Sequence, residues 1–343
     1  NKSFYLCTVS KGKANRQYCV KLMFKLPKKI FQTVLPPMAG LFFIYLSFYY
    51  TSEEERNEIY KSFKEAKIEY IFLSILLGIA SHISRAYRWN FMLNSLGYYP
   101  KFINNVLSIF ITYLANLGIP RSGEILRASV MQTYESIPFD KAFGTILAER
   151  LIDLIILFFL IFLFLFLETD ILLPLIKEKA VPYLNNYKFF LITMAFLLSI
   201  FVLIKLFKRG LVKKISVFIE GVRTGFTSIL KMENKTYYVA HTIFIWSIYM
   251  MVFYVMKFSI SGTEFLGFKS LLISFIFGAI SITTTNGGIG VYPLSVSIAL
   301  SFYGIPFEAS LAFGWILWTA QTIVVIFFGL LSFFLLPIVN NKT

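Results

Sequence analysis

Two apolar stretches of this chain are interrupted by residues that a membrane helix tolerates poorly. The first interruption lies in Ala115-Asn116-Leu117-Gly118-Ile119-Pro120-Arg121-Ser122-Gly123-Glu124-Ile125-Leu126-Arg127. The second, 170 positions later, is Asn286-Gly287-Gly288-Ile289-Gly290. Lipid cannot hydrogen-bond an unwound backbone, so such a stretch survives at membrane depth only inside protein or beside a water-filled cavity. One break in each half of a chain marks the first place to look for a substrate path.

That the surroundings are lipid follows from the balance of residue types. The chain is 57% hydrophobic and 15% charged over 343 residues, more apolar surface than a soluble domain of this length hides. Its 39 Phe and 20 Tyr suit long spans with aromatic ends near the headgroups. The net charge of +15 does not point to nucleic acid, because Lys and Arg lie in loops between apolar segments rather than on one folded face. Attraction to anionic headgroups accounts for them better. Cys7 and Cys19 form no Cys-x-x-Cys and no zinc spacing, and His82 and His241 are far from them. Neither a metal site, a cofactor nor a disulfide framework is expected. The first thirty residues hold no apolar core of signal-peptide length.

A membrane helix needs roughly 20 mostly apolar residues. Six segments qualify: 31–50, 70–87, 143–167, 187–207, 237–260 and 307–337. The interrupted segments run over 102–135 and 269–303. Residues 1–30 and 205–235 each carry eight Lys or Arg, which places both on the cytoplasmic side. Residues 51–69 have near-balanced charge, and 168–186 carry only Lys177 and Lys179 as cations, so both suit the outer side. The interrupted segments must then enter and leave on one side each, as re-entrant helical hairpins.

The expected fold is all-α and polytopic, with six spans, two hairpins and both termini cytoplasmic in the inner membrane. A basic N-terminal segment, 1–30, precedes one transmembrane domain, 31–337. Its halves, 31–167 and 187–337, each read span, span, hairpin, span, and three spans per half invert the second relative to the first. Second spans start 167 positions apart and the spans after the hairpins 164 apart. Both tips share Asn-x-Gly-Ile. Residues 208–235 read as an amphipathic helix on the inner leaflet. The alternative is eight full spans.

Ionisable groups inside spans cost several kcal/mol on insertion scales and are usually paired or turned to a cavity. Here the first hairpin contributes Arg121, Glu124 and Arg127, and the next span contributes Glu149, Arg150 and Asp153. Glu149 and Asp153 share a helix face, so they repel unless cations approach. Arg121 and Arg127 are the expected partners. Glu149, six residues past Phe143, lies about 9 Å into its span. The cluster reads in two ways: as a closed network pinning the hairpin, or as a site with one Arg left to grip phosphate, whose oxygens match the guanidinium fork. Arg85 and Arg88 read as snorkelling anchors at the end of the second span, with headgroup ligands as the alternative. At the second tip Ser281, Thr283, Thr284, Thr285 and Asn286 offer neutral hydrogen bonds. Gly287, Gly288 and Gly290 allow close backbone approach. His82 and His241 read as packed residues, and no catalytic residue is assigned.

Taken together, Asn116-x-x-x-Pro120-Arg121-x-Gly123-Glu124-x-x-Arg127, then Glu149-Arg150-x-x-Asp153, then Asn286-Gly287-Gly288-Ile289-Gly290-Val291 resemble the lysylphosphatidylglycerol synthase transmembrane-region family. The resemblance extends over about residues 31–337. That family includes the flippase-like half of the bacterial multiple peptide resistance factor and archaeal proteins of dolichol-linked glycosylation. Many relatives carry Pro before the second Gly-Gly and an acid soon after it, whereas Asn286 precedes and Tyr292-Pro293 follows here. With the aminoacyl-transferase domain of the two-part enzymes not seen, lysyl-lipid synthesis is not expected.

These readings converge on flippase-like translocation of an anionic or phosphate-bearing lipid, a phospholipid or a polyprenyl-phosphate type. Arg121, Arg127 or Arg150 would hold the headgroup and the acids would tune them. Assembly as a homodimer is compatible with this. The alternatives are an ion-coupled carrier of a small solute and a membrane-embedded enzyme acting on lipid-linked substrates.

Overall fold

The computed structural model describes residues 5–8, 18–21, 52–169 and 232–340, with single positions 45, 49, 194 and 227. The expected spans 31–50 and 187–207 and the amphipathic helix 208–235 lie largely or wholly outside the described residues. A two-stranded antiparallel ribbon, β1 (Tyr5–Thr8) and β2 (Tyr18–Lys21), sets Cys7 opposite Cys19. The membrane-facing body is all α.

Its helices are α1 (Glu53–Glu65), α2 (Ile68–Asn94), α3 (Phe102–Gly118), α4 (Ser122–Glu135) and α5 (Phe139–Leu167). Then follow α6 (Lys235–Met256), α7 (Phe268–Thr284), α8 (Val291–Ser301) and α9 (Phe307–Asn340). Of these, α2, α5, α6 and α9 are long and apolar enough to cross a membrane. Both expected interruptions are present. Unwound backbone covers Ile119–Arg121 and Thr285–Gly290.

Two helix boundaries differ from the sequence expectation, and both matter for charge. Helix α2 continues past Tyr87 to Asn94, and α5 begins at Phe139 rather than Phe143. Arg85 and Arg88 are therefore well inside α2. Glu149 lies ten residues into α5, roughly 15 Å along its axis. Apolarity alone placed these ends too near the lipid-facing residues, because buried polar turns continue the helices.

Helices α3 and α4 fold back on one another as an antiparallel hairpin. At its open end, the Glu135 carboxylate accepts from Lys101 N–H at 3.0 Å and from Asn104 Nδ2, which also reaches Asn340 Oδ1 of α9 at 2.9 Å. Nearer the tip, Gly123 lies so close to Thr112 that a Cβ would sit 2.1 Å from the Thr112 carbonyl oxygen. Only glycine permits this approach. Helices α7 and α8 form the second hairpin, where Gly278 packs under the Tyr292 ring.

The hairpins open at opposite ends of the bundle. The first opens beside the end of α9. The second opens where Lys269, in α7, pairs with Glu168 at 3.2 Å and donates to Leu167 O at 2.9 Å, at the far end of α5. The internal packing follows the same inversion. Helix α5 packs on α4 and on α7, α9 packs on α8 and on α3, and α2 packs along its counterpart α6. Each post-hairpin helix thus touches its own hairpin's second arm and the opposite hairpin's first arm.

The two tips meet. Asn286 Nδ2 donates to Gly118 O at 3.1 Å, and Gly287 packs against the Leu117 side chain. Trp318 of α9 donates from Nε1 to Gly287 O at 2.7 Å. The second tip turns through positive φ at Gly287 (60°), Gly288 (77°) and Gly290 (71°), conformations that side chains resist. A buried apolar cluster on α6–α9, containing Met256, Leu272, Val296 and Phe313, supports it.

Candidate functional site

Glu149 and Asp153, one turn apart on α5, face Arg85 and Arg88, nearly one turn apart on α2. Arg85 Nη1 reaches Glu149 Oε1 at 2.7 Å and Asp153 Oδ2 at 2.8 Å. Arg88 meets the same carboxylates at 2.9 and 3.0 Å. From the first hairpin, Arg127 Nη1 reaches Glu149 Oε2 at 3.0 Å. Short contacts of this kind are charge-assisted and strongly directional.

Neighbouring side chains lock these groups in place. The Arg127 guanidinium lies 3.7 Å from the Trp89 ring centroid, a cation–π contact, while Trp89 Nε1 donates to Thr145 Oγ1 at 2.9 Å. Arg85 Nη2 donates to Tyr249 OH at 3.1 Å and Arg88 Nη1 to Thr242 Oγ1 at 3.4 Å, which adds α6 to the assembly. Ser84 Oγ and His241 Nδ1 are 2.8 Å apart beside it. His82 packs against the rings of Phe110 and Tyr113. Four helices (α2, α4, α5, α6) converge on two carboxylates.

Arg85, Arg88, Arg127 and Glu149 are buried. This corrects one expectation. Arg85 and Arg88 do not snorkel: nine residues of α2 follow Arg85 and six follow Arg88, both side chains are buried, and each bridges both acids. Arg127 meets Glu149, the pairing expected of it, while its Nε and Nη2 have no hydrogen-bond partner among the described residues. Sequence reasoning missed Arg85 and Arg88 as site residues, although their spacing of three matches the four-residue spacing of the acids. Two cations on one face opposite two anions on another was the available signal.

A second layer is more open. Arg150 Nη2 meets Glu124 Oε1 at 3.3 Å, with side chains 34% and 14% exposed. Asn116 organises this end of the hairpin: its Oδ1 accepts from Gly123 N–H at 2.8 Å, holding the first turn of α4. Arg121, between α3 and α4, adopts a left-handed conformation at φ 58°. That costs a non-glycine residue of order 1 kcal/mol, and such strain gathers at functional sites. Arg121 and Pro120 are exposed, and among the described residues Arg121 meets no carboxylate, contrary to its expected pairing. Gly118 is exposed at its tip, whereas Asn286, Gly288 and Gly290 are buried at theirs.

The hydroxyls of the second tip bond back to their own helix, although Thr283 and Thr284 are exposed. Ser281, Thr283, Thr284 and Thr285 donate to carbonyls of their own helix at 2.7–2.9 Å. They help end α7 rather than present donors outward.

An apolar groove of about 920 Å³ runs between α5, α6 and α7. Ile156 and Thr242 line it near the charged cluster, and Lys257 and Gly267 line it near the opposite end of the bundle. Thr242 is also the Arg88 partner, so the groove starts where the charges end.

The chain is 33% identical over 110 residues to a UPF0104 membrane protein of Methanocaldococcus jannaschii, an alignment covering 31% of this chain. It spans 33% of that curated relative's length. No solved structure matches the chain. A model of the lysylphosphatidylglycerol synthase TM region matches residues 37–329. The protein is a membrane protein of the lysylphosphatidylglycerol synthase TM region family.

Proposed function

We propose that the protein carries an anionic or phosphate-bearing lipid, a phospholipid or a polyprenyl-phosphate type, across the inner membrane. The observation that carries this reading is the meeting of two oppositely opening, broken hairpins beside a partly exposed cation, Arg150. Helix α8 has 11 residues and reaches about 16 Å, half the hydrocarbon thickness. That length supports hairpins that enter and return, in a chain of six spans with both termini cytoplasmic. Arg150 and the exposed Arg121 hold the headgroup near the first tip. The apolar groove, one turn beyond Asp153, accommodates hydrocarbon. The closed Arg85–Arg88–Arg127–Glu149–Asp153 network keeps the hairpin docked and does not itself bind substrate. Movement is downhill or coupled to an ion gradient.

The test is movement of fluorescent phosphatidylglycerol between leaflets of reconstituted liposomes. Arg150→Ala should slow it by about tenfold or more, the worth of one charge-assisted contact, and Arg121→Ala by less. Wild-type rates in both variants would remove the assigned roles.

A further inference from the structure

The pair between Arg150 and Glu124 is the longest and most exposed ion pair of the cluster. The four contacts between α2 and α5, and the Arg127 contact, measure 2.7–3.0 Å. The Arg150–Glu124 contact is 3.3 Å and involves one carboxylate oxygen. The other oxygen, Glu124 Oε2, is buried with no hydrogen-bond partner among the described residues; Arg150 Nε also has none, as do Nε of Arg85, Arg88 and Arg127 and Nη2 of Arg127, but only Arg150 is partly exposed. A carboxylate free to choose would turn both oxygens onto the guanidinium fork, since that bidentate geometry is the strong one. Here Glu124 Oε1 accepts from both Arg150 and, at 3.4 Å, Asn116 Nδ2, while Oε2 takes no part. Arg150 therefore keeps donor capacity, and its partner is the most weakly held acid of the cluster.

Charge balance points the same way. Four guanidiniums (Arg85, Arg88, Arg127, Arg150) face three carboxylates (Glu124, Glu149, Asp153). Among the described residues one positive charge is therefore in excess, so the site favours keeping an anion on Arg150. A headgroup that replaces the Glu124 carboxylate one for one keeps this balance only if it carries a single negative charge.

We infer that Glu124 is a stand-in for the substrate: it occupies the seat of a phosphodiester on Arg150, and a headgroup bearing one negative charge displaces it. Exposed Arg121, three residues before Glu124, can receive the released carboxylate, whereas Arg127, equally near in sequence, is paired with Glu149. The exchange moves no covalent bond. It keeps Arg150 paired when the site is empty and selects for monoanionic headgroups when it fills. This rests on the lipid-carrier reading and adds to it the charge class of the lipid.

The purified full chain in detergent is titrated calorimetrically with short-chain phosphatidylglycerol, net charge −1, and with short-chain phosphatidylcholine, which carries the same phosphodiester but no net charge. Wild type should prefer phosphatidylglycerol. Glu124→Gln removes the competitor and should tighten phosphatidylglycerol binding roughly threefold to tenfold. Arg150→Gln should weaken it about tenfold to a hundredfold, and the double variant should match Arg150→Gln. Glu124→Asp, which keeps the charge on a shorter arm, should also tighten binding and serves if the glutamine variant does not fold. Unchanged or weaker binding in the folded Glu124 variants overturns the stand-in role, as does equal wild-type affinity for the two lipids. Leaflet exchange of labelled phosphatidylglycerol, measured alongside, separates the failures. Exchange without an effect of Glu124 on affinity removes this inference alone, whereas no exchange and no binding in wild type removes the carrier reading as well.

Discussion

Glu149 is the residue on which the cluster turns. Its two oxygens serve Arg85, Arg88 and Arg127, so three helices depend on one carboxylate. Burying charges costs desolvation of the same order as their attraction, which makes the intact network a modest stabiliser overall. Removing one member is different, since uncompensated charge stays behind. Glu149→Gln is expected to destabilise the protein by about 3–5 kcal/mol, measured by thermal or denaturant unfolding in detergent. Arg121→Ala, at an exposed position without an ion-pair partner among the described residues, should stay within about 0.5 kcal/mol of wild type in the same assay. A silent Glu149→Gln would mean that the ion pairs do not hold α4 and α2 to α5.

At the scale of elements, the two hairpins differ in how they are closed. The first is pinned at its open end by Glu135 and along its length by Gly123 and Arg127, so its tip is the least constrained part. The second is buried at the tip, held by Trp318 and by Asn286 reaching to Gly118 O. If lipid passes between the tips, that contact must open. Gly118 has free space where a Cβ would be, so Gly118→Cys and Asn286→Cys, on a background of Cys7→Ser and Cys19→Ser, place two thiols across it. Oxidation, or a short bis-thiol reagent, should stop lipid exchange, and reduction should restore it. Undiminished exchange after complete crosslinking would show that the path lies elsewhere.

For the whole molecule, sidedness follows from the inverted packing. Exposed Phe265, before α7, belongs on the outer face if the hairpins are re-entrant, but on the cytoplasmic face if both interrupted segments crossed completely. Exposed Tyr99, before α3, is cytoplasmic in either case. On the same cysteine-free background, Phe265→Cys should react with an impermeant thiol reagent added outside intact cells, and Tyr99→Cys only after lysis. The reverse labelling of Phe265→Cys would restore the eight-span topology.

Much of this was legible in the chain itself. Apolar length and loop charge outlined the four long helices, and the helix-breaking residues located both interruptions to within a few positions, because each is a local property of a short run of residues. The charged residues of the first half also stood out, since a charge in an apolar stretch is visible without knowing its neighbours. Their partners were not. Arg85 meets an acid 64 positions away, and Arg150 chooses Glu124 rather than the nearer Asp153. Such choices depend on helix rotation and on where helices end, which packing settles. The Asn-x-Gly-Ile match shows the same limit: Asn116 braces its own hairpin, while Asn286 reaches across to the other. The order of elements and the places where the helix must stop came from residue chemistry. Which charge stays accessible came from tertiary structure alone, because burial is a property of the assembled helices and not of any one of them.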